Sequence, residues 1–187
     1  MNMALDKLRS KLRPPWPALD VHVHPLACFG FYRIESPADD ARLLIQAAKR
    51  SRVEKMCLFS LHPSCPREPS VAECREANNY ALAMRNVTPD VFIPFCYVNP
   101  IYPDEAVAEI DRCVGGERMC GVKLWVVRRA TDPGLDPILE RAVALDVPVL
   151  QHAWIKTTGN LPGESFPSDV ADLARRHPKA QIIMAHL

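Results

Sequence analysis

The chain has 187 residues, 48% of them hydrophobic and 24% charged, which is the profile of a globular protein with apolar material for one sizeable core. Lysine plus arginine exceed aspartate plus glutamate by one, so no net field draws the chain to nucleic acid or an anionic membrane, and a small-molecule substrate fits better. No uncharged apolar run reaches the roughly 18 residues of a membrane span, and residues 1–17 read as a lead-in of mixed charges, prolines and scattered leucines without a signal-peptide core.

Short apolar runs alternate with longer amphipathic stretches six times over residues 18–187, the pattern of a parallel sheet with crossover helices. The first strand is Ala18 to His24, and Ser36-Pro37 caps a helix to about Ser51. Lys55 to Ser60 is the second strand. Ser70 with Glu73 predicts a capping box for a helix to about Asn86, and Val91 to Val98 is strand three, blemished by Pro94 because a central strand needs that N–H. Asp104 to Val114 is helical and stops at Gly115-Gly116; Gly121 to Val126 is strand four. Asp136-Pro137 starts the next helix, Pro148 to His152 is strand five, Ser168-Asp169 opens a helix to about His177, and Gln181 to His186 is strand six. Six units of roughly thirty residues match the repeat of a (β/α)₈ TIM barrel, which closes with about 250 residues. The expectation is therefore an α/β barrel of the metal-dependent hydrolase type with about six of its β/α units, since the Gly-rich turn of a doubly wound sheet is absent after strand one.

Seven cysteines without a Cys-x-x-Cys pair argue against a disulfide framework. Cys57 and Cys96 fall inside strand-like runs, and the setting reads as reducing and cytoplasmic.

Strand one ends Asp20-Val-His22-Val-His24, and period-two geometry puts both imidazoles on one face, roughly 7 Å apart along the strand, where they can converge on one cation. His152 ends strand five and His186 ends strand six. A barrel builds its active site at the C-terminal edge of its strands, so all four histidines surround one mouth. Lys123, in the middle of strand four between apolar neighbours, needs a reason to be buried: a carbamate bridging two metal ions, or a plain ion pair near the site. Trp125 and Trp154 follow strand ends and are candidates to wall an apolar or aromatic substrate. His62 and Asn99, after strands two and three, are candidate substrate contacts, and Arg128, Arg129 and Lys156 are candidates for a substrate carboxylate.

The Asp-x-His-x-His opening, Val98-Asn-Pro100, Gly121-Val-Lys-Leu124, the strand-five histidine and Ala185-His-Leu187 together resemble the amidohydrolase superfamily, within it the amidohydrolase-2 group of aminocarboxymuconate-semialdehyde decarboxylase-like enzymes. The resemblance implies that His22, His24 and His152 bind one divalent metal, usually zinc, and that His186 is a further ligand or a catalytic group; a carbamylated Lys123 would imply two ions. It implies hydrolysis of a small amide, ester or lactone, or decarboxylation of a small unsaturated or aromatic acid, with Lys123 and His186 as catalytic candidates. The family's strand-eight aspartate has no counterpart here, so the sequence reads as a barrel truncated after the sixth strand. Two rivals remain open: a TatD-like metal-dependent nuclease, which generally has glutamate where Lys123 stands, and a catalytically incompetent fragment with a residual metal site. An unclosed sheet exposes apolar edges on strands one and six, from which a homodimer is expected.

Overall fold

The structure, a computed structural model, describes residues 3–12 and 14–186. Leu187, the last residue of the Ala-His-Leu motif, and residues 1, 2 and 13 of the lead-in lie outside the described residues.

Six strands form one parallel sheet in chain order: β1 (Ala18–Val23), β2 (Val53–Phe59), β3 (Phe92–Tyr97), β4 (Val122–Leu124), β5 (Val149–His152) and β6 (Ile182–Ala185). Helices α2 (Pro37–Arg50), α3 (Val71–Val87), α4 (Pro103–Ile110), α5 (Asp136–Ala144) and α6 (Pro167–Arg176) return the chain from strand to strand. The sheet curls. Lys123 on β4 places its Nζ 3.5 Å from His22 Nε2 on β1, and the His22 and His186 rings, at the ends of the first and last strands, are 4.9 Å apart. The result is a half-barrel of the (β/α)₈ kind, with its mouth at the C-terminal ends of the strands.

Alternation along the strands makes two cores. One set of side chains, including Met56, Leu58, Cys96, Val122 and Val149, packs outward against Ala41, Ala81, Ile110, Ile138, Leu139 and Leu173 of the helices. The other set, Cys57, Phe59, Phe95, Leu150 and Ala185, fills the concave side. Helix starts follow the local chemistry: the Ser36 side chain accepts from the Asp39 amide, and Ser70 and Glu73 form the reciprocal box. α6 begins at Pro167, with the Asp169 carboxylate accepting from the Phe166 amide.

Four departures from the sequence reading have physical causes. The lead-in holds a helix, α1 (Met3–Leu12), whose Leu5, Leu8 and Leu12 follow helical spacing yet stay exposed. β4 pairs over three residues only. Pro94 is tolerated because its carbonyl accepts from Cys120 on the β4 side, ahead of the first β3–β4 pair at Cys96 and Val122, so the missing N–H faces no ladder partner. Beyond Ile110, α4 widens into a π turn over Asp111–Gly116.

Candidate metal centre

β1 leaves regular register between Asp20 and Val23, where the Asp20 carboxylate accepts the His22 amide at 3.0 Å. This irregularity sits where the strand delivers its two imidazoles to the mouth. His22 and His24 have ring centroids 5.1 Å apart, and His22 also meets Phe59 edge-on. His24 donates Nδ1–H to the Phe59 carbonyl at 2.6 Å, which fixes its tautomer and leaves the Nε2 lone pair free. After His24 the chain is held down by buried Asp40, whose carboxylate accepts the Leu26 and Ala27 amides and the Tyr80 hydroxyl.

His152 completes β5. His186 follows β6 in the left-handed region at φ 61, a costly conformation for a residue with a Cβ. The two rings are 4.9 Å apart, and Trp154 stacks on His186 at 4.7 Å and 19°. The four imidazoles thus touch in the order His24, His22, His186, His152.

Lys123 is fully buried, with its ammonium position 5.1 Å over the Phe59 ring. Burial alone brings its amine down to about 7. Burial likewise drives His22 to about 3 and His24 and His152 to about 4, with Lys123 as the next cause in each, and lowers His186 in the same way. The rings are therefore neutral imidazoles, the form that binds metal.

Among the described residues no three His, Cys, Asp or Glu side chains are arranged to hold an ion as they stand. The rings lie in a chain of contacts rather than around one point. Imidazoles bound at about 2.1 Å around one tetrahedral cation have centroids about 5 Å apart, a spacing shared by the successive pairs His24–His22, His22–His186 and His186–His152 at 4.9–5.1 Å. His152 Nε2 is shut from solvent with no hydrogen-bond partner. Neutral rings, each keeping one unprotonated nitrogen, are the donor chemistry that suits a divalent cation.

The other sequence candidates separate. Trp154 forms a wall of the mouth, while Trp125 packs beneath it against the cluster of Leu61, Ala77 and Tyr97. His62 and Asn99 are committed elsewhere: the His62 nitrogens meet Ser64 Oγ at 2.7 Å and Glu76 at 3.1 Å, and Asn99 donates to the Pro69 carbonyl while accepting the Ile101 amide. Both side chains tie loops. Arg129 is held bidentately by Asp169, whereas Arg128 lies 3.7 Å from Asp132. These arginines, with Arg67 and Pro162, line an open cleft of about 690 Å³ to which none of the four histidines contributes.

Sequence reasoning missed Glu164. It is 3% exposed in the loop after β5, with Oε1 2.5 Å from Lys156 Nζ and 3.8 Å from His152 Nε2. A lone glutamate in a polar loop carries no sequence signal. Neighbouring Gly163, at φ 87, lies so close to the Val126 and Val127 carbonyls that any Cβ there would collide with them, which presses the β5 loop onto the β4 loop.

A parallel half-barrel with imidazoles at the ends of strands one, five and six has the layout of a metal-dependent hydrolase barrel. The amidohydrolase family model of the amidohydrolase-2 type matches residues 19–187, and the chain belongs to that family. No curated protein matches the chain. Among solved structures, 2,6-dihydroxybenzoate decarboxylase bound to 2,6-dihydroxybenzoate is similar at a TM-score of 0.64 and 18% identity, over 90% of this chain and 65% of that one. 4-Oxalomesaconate hydratase from Rhodopseudomonas palustris is similar at 0.61 and 16%, over 89% and 62%. 5-Carboxyvanillate decarboxylase from Novosphingobium aromaticivorans, complexed with manganese and a nitrobenzoic acid, is similar at 0.60 and 20%, over 76% and 48%. The chain thus spans about two thirds or less of the length of these proteins. No described helix is long and apolar enough to cross a membrane.

Proposed function

We propose that this chain carries the imidazole half of a metal-dependent lyase site that decarboxylates a small aromatic or unsaturated carboxylic acid. The observation that carries the reading is the run of four neutral imidazoles, 4.9–5.1 Å apart, at the mouth of an amidohydrolase-family half-barrel. Hydroxybenzoate and carboxyvanillate decarboxylases among the similar folds favour decarboxylation over amide, ester or lactone hydrolysis.

His22, His24 and His152 would hold the cation, with His186 as a fourth ligand or a substrate contact. A bound divalent cation supplies charge to orient substrate oxygens and stabilise negative charge developing on them. Trp154, stacked on His186, offers a flat wall to a planar acid. Lys123, a buried amine near neutrality, and His186 are the groups to move the proton that replaces carbon dioxide on the substrate carbon. The all-nitrogen donor set suits zinc, while the carboxyvanillate enzyme holds manganese. One ion is proposed, and a carbamate on Lys123 with a second ion is the variant to test with labelled bicarbonate.

A homodimer is proposed from the apolar edge positions Leu19, Val21 and Ile183, exposed by 50%, 57% and 40%, and a cytoplasmic setting from the free cysteines. The test loads the protein with zinc or manganese in turn, measures bound metal after gel filtration, and follows carbon dioxide release from hydroxybenzoates. Metal bound through the histidines with release from at least one acid supports the reading. Ester or lactone hydrolysis without release replaces it, and absence of metal uptake ends it.

A further inference from the structure

The loop after β5 holds a buried carboxylate that the family reading leaves without a role. Glu164 is 3% exposed, and both its oxygens are engaged: Oε2 accepts the Leu161 amide at 2.7 Å and Oε1 accepts the Lys156 ammonium at 2.5 Å. Lys156 in turn lies 5.4 Å over the Trp154 ring, which stacks on His186. A loop staple would need no more. Yet the same Oε1 is 3.8 Å from His152 Nε2, and that nitrogen is sealed from solvent with no hydrogen-bond partner.

Chemistry decides which state of the ring suits this arrangement. A lone pair on Nε2 facing a carboxylate oxygen is repulsive, whereas an N–H there is attracted to it, so the favoured tautomer carries hydrogen on Nε2. The gap exceeds a hydrogen bond by under about 1 Å, the kind of looseness that tightens when a site fills. Direct ligation by Glu164 fits less well, because a cation on Oε1 would face the Lys156 ammonium already there.

We propose that Glu164 is the positioning carboxylate of His152: it takes the Nε2–H, which leaves Nδ1 as the nitrogen offered to the metal, and Lys156 with the Leu161 amide holds it in place. The assignment rests on His152 being a metal ligand, as proposed above. An acid that accepts the second N–H of a metal-bound imidazole fixes ring orientation and raises ligand basicity, and losing such a partner weakens metal binding by about 10- to 100-fold.

The experiment uses the full chain labelled with ¹⁵N-histidine and loaded with ¹¹³Cd(II). In the wild type, cadmium coupling is expected on Nδ1 of His152, assigned by its disappearance in His152→Ala, with a protonated Nε2. In parallel, Glu164→Gln is expected to weaken cadmium and zinc binding at least tenfold in a chelator competition. Coupling on Nε2, or a smaller loss of affinity, overturns the proposal. The wild-type spectrum decides alone if Glu164→Gln does not fold. His152→Ala separates the two levels: if it binds metal like the wild type, the imidazole centre itself is wrong; if it loses metal while Glu164→Gln does not, only the role of Glu164 falls.

Discussion

The middle of the sheet and its two margins are built differently. Every residue of β4 and β5 is buried, and the helices packed on them bury Ile138, Leu139 and Leu173 completely. β1 and β6, by contrast, leave Leu19, Val21 and Ile183 open, and β1 pairs with broken register. Yet the margins deliver three of the four imidazoles. Stability is concentrated in the centre, and the chemistry falls where the sheet is least covered, so changes to the two should separate in experiment.

The largest expected effect is on metal, with little on folding. Replacing His22 and His24 together by alanine should weaken zinc binding at least about 100-fold, read by elemental analysis after gel filtration, while leaving the unfolding transition of the metal-free protein in place. In the centre the reverse holds: Ile138→Ala should cost about 2–5 kcal/mol in urea unfolding without altering metal stoichiometry. Lys123→Met joins the two regions. Removing a buried amine that has no carboxylate partner among the described residues should stabilise the metal-free chain by about 1–4 kcal/mol at neutral pH and abolish turnover. Ser70→Ala, which opens the box at the start of α3, should cost about 1 kcal/mol. Val21→Ser on the margin should stay within about 0.5 kcal/mol in the monomer, and a larger loss that grows with protein concentration would show that a second copy covers this strand.

The pH dependence of the metal-free protein sharpens the same contrast. An unfolded chain takes up protons on its histidines below about pH 6.5, whereas folded His22, His24 and His152 resist until about 3 to 4, so stability should fall as pH drops through that window. Lys123 works on the alkaline side. Its buried amine gives up its proton near 7 and an unfolded lysine near 10.5, so its replacement should remove a rise in stability between those values.

Much of this was legible in the sequence, because periodicity reports burial directly. Strands ending in His152 and preceding His186, the Ser36 and Ser70 caps and the order of six units all follow from local pattern. What escaped depends on partners distant in the chain. Glu164 lies beside a histidine twelve residues earlier and a lysine between them, and the acceptors and donors of His62 and Asn99 are likewise unmarked in the pattern. The helix in the lead-in was hidden by its prolines and charges, and the π turn leaves no mark in a pattern read at α-helical period. Convergence of the rings on one point was expected, and the structure shows them instead as a chain of neighbours. The imidazoles pack on one another, on Phe59 and on Trp154.

Gly163 carries a consequence for how this loop could diverge. Because no side chain fits beneath it, the segment from Trp154 to Glu164 cannot be altered at its base without lifting the acid away from His152. Variation is channelled instead to the exposed crest around Thr157, Thr158 and Gly159, where lengthening would reshape substrate access while the root stays anchored. A library confined to that crest should therefore yield altered acid preference at constant metal affinity.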